Sequence, residues 1–141
     1  MRTRWAVAVI VTALVALVGA AVAKMALGAL WYSPALFLKP WLRLTRTTEE
    51  QMKERMAQAL AVDILGSFVM AFVLVQAIRY AGAVTMPHGM AVGFWTWLGF
   101  VAVSTIGTVT FERKPFKLFL LNNGYTLLSL LIMGAILAVW G

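Results

Sequence analysis

Residues 13–34 read ALVALVGAAVAKMALGALWYSP. One lysine interrupts a run of apolar and small residues, and the run closes on Trp31-Tyr32 followed by Ser33-Pro34. Extended back to Trp5, the stretch exceeds the ~20 apolar residues that a helix needs to cross a hydrocarbon core. Paired aromatics suit the headgroup level, where a ring with a polar edge is most stable. The stretch is therefore read as a membrane span.

The same pattern recurs along the chain. Further apolar runs cover residues 59–80, 89–111 and 117–140, and Tyr80, Phe111 and Trp140 stand at their ends. Of the 141 residues, 62% are hydrophobic, well above the ~45–50% of a soluble domain, and mean hydropathy is +0.89. The fold class that follows is all-α. It is a four-transmembrane-helix bundle, with spans at about 5–31, 59–80, 89–111 and 117–140, forming one transmembrane domain over residues 1–141. All four prolines fall between spans, so proline kinks are not expected. The first span has a rival reading. Arg2 and Arg4 before an apolar run, with Ala-Val-Ala ahead of Lys24, resemble a signal peptide cleaved after Ala23. The apolar run continues to Trp31, which favours an uncleaved span.

Residues 33–58 form the longest connection. Ser33 suits an N-cap and Pro34 a first helical position, so PALFLKPWLRL is read as a short interfacial helix. Phe37 and Trp41 would face lipid, with Lys39 and Arg43 at the headgroups. Thr47 and Glu50 have capping-box spacing, and Glu49 and Lys53 are an i,i+4 pair. This polar helix is expected to run directly into the second span.

The net charge of +7 raises nucleic-acid binding as a rival. That requires basic residues clustered on a soluble face, whereas here they flank apolar spans, and no nucleic-acid partner is expected. Eight of the twelve Lys and Arg residues lie in loops one and three: Lys39, Arg43, Arg46, Lys53, Arg55, Arg113, Lys114 and Lys117. Three lie at the other ends: Arg2, Arg4 and Arg79. The positive-inside rule then places loops one and three in the cytoplasm and both termini outside, in a multi-pass protein of the cell (inner) membrane.

Two segments carry a family likeness. LGALWYSPALFLKPWLRL at residues 27–44 and FERKPFKLFLLNNGYTLLSLLIMGAILAVW at residues 111–140 resemble the bacterial domain-of-unknown-function family numbered 1761. Trp31-Tyr32-Ser33-Pro34, Phe111-Glu112-Arg113, Asn122 to Tyr125 and Met133-Gly134-Ala135 carry the likeness most specifically. The resemblance implies a small integral membrane protein without an assigned activity. It carries over no catalytic residues.

The candidate polar residues come from physics. Lys24 lies inside the first span, where an unpaired lysine costs about 2.5–3.5 kcal/mol at the bilayer centre. It can snorkel to the interface or pair. Asp63 enters the second span at a depth within ~4–5 Å of Lys24 by helical rise, so an ion pair joining the two helices is expected in preference to a proton relay. Asn122, Thr126 and Ser129 share a face of the fourth span, with Tyr125 beside them, and Ser104 and Thr108 make a similar pair on the third. Such groups usually join helices, and the alternative is a ligand cavity. Gly89 and Gly93 form a GxxxG motif, and Gly19 and Ala23 a small-xxx-small pair. Either permits close contact within one subunit or in a homo-oligomer.

His88, the single histidine, is read as an exposed loop residue beside Pro87, because a metal site needs several converging ligands. No Cys is present. No metal site, cofactor motif or catalytic signature is recognised. The leading expectation is a non-enzymatic membrane protein acting through partners or a homo-oligomer, with the lipid bilayer as its surroundings. The alternative is a small-solute transporter, channel or ligand-binding bundle. A lipid- or quinone-modifying enzyme using Asp63, Tyr125 or Glu112 is a third reading.

The orientation has a direct test, since the chain contains no native cysteine. A Lys114→Cys variant in intact cells should resist a membrane-impermeant thiol reagent and react only after permeabilisation. Labelling from outside would invert the topology.

Overall fold

A backbone inside a bilayer must satisfy its own hydrogen bonds, and helices do so within one segment. In the computed structural model, which describes residues 2–140, every regular element is helical. The side chains of Arg2, Thr3, Trp5, Ala6, Ala8, Val9 and Thr12 fall outside the described residues, and with them the Trp5 anchor and the Arg2 charge. Four helices are long and apolar enough to cross a membrane. They are Ala13–Trp31 within α1 (Arg2–Trp31), α4 (Met56–Ala81), the segment Met86–Thr110 and α8 (Phe116–Trp140).

Loop one differs in detail from its sequence reading. Ser33 and Pro34 close α1; they do not open a new helix. The Ser33 hydroxyl donates to the Leu30 carbonyl at 2.6 Å, and Phe37 N–H returns to the Trp31 carbonyl at 3.1 Å. The proline biases Ser33 away from helical backbone, which reinforces the stop. Helix α2 (Leu38–Thr45) begins four residues after Pro34, with Phe37 at its N-cap. Phe37 and Trp41 pack inward, where lipid-facing side chains were expected. The ring centroids of Trp31 and Phe37 are 4.6 Å apart, and those of Tyr32 and Trp41 6.0 Å. Lys39 and Arg43 of α2 are exposed.

Helix α3 (Glu49–Glu54) has its capping box one residue later than expected. Gln51 N–H donates to Thr48 Oγ1 at 3.2 Å, and Thr48 N–H to Gln51 Oε1 at 3.1 Å. Thr48 wins because it has the extended backbone of an N-cap. Helix α3 does not run unbroken into α4: Arg55, at φ −104° and ψ 6°, interrupts it. Helix α4 ends on Gly82 at φ 68°, a left-handed C-cap.

The third span starts earlier than expected and is irregular. Thr85 caps it through the backbone N–H of His88 at 3.4 Å, so His88 is exposed in the first turn of α5 (Met86–Thr96) and not in a loop. A π-helical turn over Trp97–Ala102 follows, then α6 (Val103–Thr105) and α7 (Gly107–Thr110). Prolines play no part. Thr96 and Ser104 donate to carbonyls four residues back, a pattern that bends helices. Ser104 is exposed and bonds its own helix, and Thr108 donates to the Thr105 carbonyl, so neither joins the third span to another as expected.

Between α5 and α8 the helices meet at glycine. A Cβ at Gly89 would overlap the Gly134 carbonyl, one at Gly134 would overlap the Gly89 carbonyl, and one at Gly93 would overlap the Leu130 carbonyl. The GxxxG face is thus filled by the chain's own fourth span, the within-subunit contact that the motif permits. Gly19 is likewise covered, by the Trp140 ring. Around this seam Met133 and Leu137 of α8 are buried with Ala16 and Ala20 of α1 and with Leu74, Val75 and Ile78 of α4. Large side chains such as Leu65, Val69 and Phe100 point outward.

Substituting Gly134→Val should lower thermal stability in detergent by at least the ~1–3 kcal/mol typical of overpacking. Gly66, with nothing within 4 Å of an added Cβ, provides the control. Gly66→Ala should leave stability unchanged or raise it. Equal tolerance at both positions would remove the seam from the account.

Candidate functional site

The polar residues gather at the end of the bundle that carries loops one and three. Lys24 stands seven residues before the end of α1, and Asp63 seven residues after the start of α4. At helical rise both lie about 10 Å inside their helix ends. Lys24 Nζ lies 3.0 Å from Asp63 Oδ1, 3.1 Å from Ser67 Oγ and 3.4 Å from the Tyr125 hydroxyl. An ammonium has three hydrogens, and each has an acceptor here. Lys24 is buried at 7% exposure, so it pairs where it stands and does not snorkel. Asp63 is half-exposed.

Each partner is held by a further bond. Ser67 donates to the Asp63 carbonyl at 2.6 Å, and Tyr125 donates to the Lys24 carbonyl at 3.1 Å. The ammonium also lies 5.4 Å from the Tyr125 ring centroid, a cation–π distance. Gly28 leaves room for this phenol, since a Cβ there would press on the Tyr125 hydroxyl. Helices α1, α4 and α8 thereby meet at one charge.

A second cluster begins where the first ends. The rings of Tyr32 and Tyr125 meet edge-on at 5.4 Å, and the Tyr32 hydroxyl donates to Asn122 Oδ1 at 2.9 Å. Burial, with Tyr125 and Asp63 adding to it, raises the Tyr32 pKa above the usual tyrosine range. Trp31 Nε1 donates to the Leu121 carbonyl at 3.1 Å. The interfacial motif therefore has two tasks: Trp31 and Tyr32 bind α8, while Ser33 and Pro34 end α1.

Thr126 and Ser129 do not join helices. Thr126 donates to the Asn122 carbonyl and Ser129 to the Tyr125 carbonyl, both within α8. The bridge to the third span comes from Asn123. Its carbonyl accepts from Trp97 Nε1 at 2.9 Å, its Oδ1 accepts from Thr105 at 3.0 Å, and its Nδ2 donates to the Phe119 carbonyl. Sequence reasoning named neither Asn123 nor Ser67. Ser67 was legible as the residue one turn beyond Asp63, and the Asn122-Asn123 doublet marked two adjacent polar faces.

Beside the doublet lies a cavity of about 240 Å³, bordered by Thr105, Thr108, Lys114, Asn122, Asn123 and Thr126, with Val101, Leu118 and Phe119 as apolar wall. The π-helical turn contributes Val101 to it, and such turns are frequent at functional sites. Among the described residues, no group of three or more metal-ligating side chains assembles.

A family model described as "Protein of unknown function (DUF1761)" matches residues 15–138, and the chain belongs to this family. No curated protein and no solved structure matches the chain.

The Lys24 cluster makes a quantitative expectation. Lys24→Ala and Asp63→Ala should each destabilise the protein in detergent, up to the ~3–5 kcal/mol of a broken buried pair. The double variant should lose less than the sum by at least ~1 kcal/mol. Additive losses in a thermal-unfolding cycle would show that the two groups do not act together.

Proposed function

We propose that this DUF1761 chain is a multi-pass membrane protein that binds a small polar ligand without transforming it, with loops one and three in the cytoplasm. The carrying observation is the ~240 Å³ cavity between the third and fourth spans, whose wall combines hydroxyls, amides and one ammonium with apolar side chains. Ligand sites in helical bundles set placed polar groups against an apolar wall, and here six of the nine lining residues are polar, which suits a polar ligand. The volume suits a small solute or headgroup better than a drug-sized molecule. The side chains in the wall can hold a ligand; of the three groups suited to acid–base chemistry, Asp63 and Tyr125 are engaged by Lys24 away from it, and Glu112 is outside the wall and faces the Lys114 ammonium at 3.6 Å.

Native mass spectrometry from mild detergent tests this reading. A reproducible small-molecule adduct is expected on the unmodified protein. Thr126→Leu should abolish the adduct by filling the cavity, with little loss of stability, because the Thr126 hydroxyl bonds only its own helix. Bare protein in every preparation, or an adduct indifferent to the filled cavity, would contradict the proposal. A protein that acts instead through a partner or a second copy would show a protein adduct in the same spectra.

A further inference from the structure

We infer that the cavity between the third and fourth spans is an oxyanion site, with the Asn122 amide and the Lys114 ammonium as its donors and a phosphate group as its fitting ligand. The proposal rests on the ligand-binding reading above and adds the ligand's chemistry.

Thr105 donates to the Val101 carbonyl or Asn123 Oδ1, Thr108 to the Thr105 carbonyl, and Thr126 to the Asn122 carbonyl. The hydroxyl protons in the wall are therefore already committed. Asn122 is different. Its Oδ1 takes the Tyr32 hydroxyl proton. That directs the amide nitrogen away from Tyr32, and among the described residues no hydrogen bond uses Asn122 Nδ2. An amide nitrogen has two hydrogens to give. Lys114 is the only charged residue in the wall. Among the described residues its ion-pair contact is to Glu112 at 3.6 Å, with both side chains more than half exposed, and such a pair is weak and exchangeable.

The surroundings favour the same sign of ligand. Arg113 and Lys117 flank Lys114, against Glu112 as the one acid of the connection, so the field at the mouth is positive and attracts anions. Asn122 lies six residues into α8, about 9 Å inside the helix start. The two donors thus span the zone between headgroup and hydrocarbon. A phosphate there is reachable as a lipid headgroup or as the free ion, and both present the same oxygens.

The test uses purified full-length protein in a phosphate-free non-ionic detergent. Inorganic phosphate, a short-chain phosphatidylglycerol and neutral glycerol are titrated separately at constant ionic strength, with thermal stability and ³¹P line broadening as readouts. Phosphate or the phospholipid should bind and glycerol should not, and the tighter of the two phosphates identifies the source. Lys114→Gln, at an exposed side chain, should weaken binding by about tenfold or more, as loss of a charge-assisted hydrogen bond does. Asn122→Asp keeps the acceptor for Tyr32 but brings a negative charge to the site, and it should abolish binding. Glycerol binding in preference to either phosphate, or phosphate binding unchanged in both variants, would overturn the oxyanion site while leaving a ligand-binding cavity. Bare protein in native spectra together with no response to any probe would overturn both.

Discussion

A lysine ammonium placed about 10 Å inside an apolar helix must find partners or leave the hydrocarbon. Lys24 has no room to leave: it is buried, and its three hydrogens are taken by Asp63, Ser67 and Tyr125. Because Asp63 and Ser67 belong to α4 and Tyr125 to α8, satisfying one charge holds the rotation and depth of three helices at once. Hydrogen bonds between membrane helices average only ~0.6 kcal/mol, since unfolded segments in lipid also find partners. A charge with all its donors matched is more demanding, and removing any one partner leaves the rest wrongly arranged.

The other half of the bundle is held by a different means. Lipid tails are as apolar as leucine, so helices in a bilayer gain by close packing more than by burial. The reciprocal approach of Gly89 and Gly134 to each other's carbonyls, with Gly93 against Leu130, gives α5 and α8 that contact. Further along, the third span departs from regular helix at Trp97–Ala102, and Asn123 gathers Trp97 and Thr105 onto α8. The cavity sits on that irregular stretch. Tight packing at one end and polar, looser packing at the other leave space at the loop-three end, beside a basic connection.

Much of this was legible in the residues and some was not. Four spans follow from long apolar runs with aromatic ends, and four helices meet the length and hydropathy required. Depth counting put Lys24 and Asp63 at one level, because helical rise converts position directly into depth. Rotation about a helix axis is not readable that way. The inward turn of Phe37 and Trp41, the back-bonding of Thr126 and Ser129, and the use of Asn123 depend on which face a neighbour presents. Local competition also decided details. Ser33 can cap the end of α1 or the start of α2, and two threonines stand side by side for one capping box. In both places spacing alone fits two answers, and backbone geometry chooses.

Lys24 is a buried, fully partnered hub. Its most direct measurement is ¹⁵N-lysine NMR of the side-chain ammonium in detergent micelles. The account predicts one lysine signal with slowed hydrogen exchange and through-space contacts to the Tyr125 ring, both lost in Asp63→Ala. A Lys24 signal that exchanges as fast as the other lysines, with no contact to Tyr125 and no response to Asp63→Ala, would contradict it.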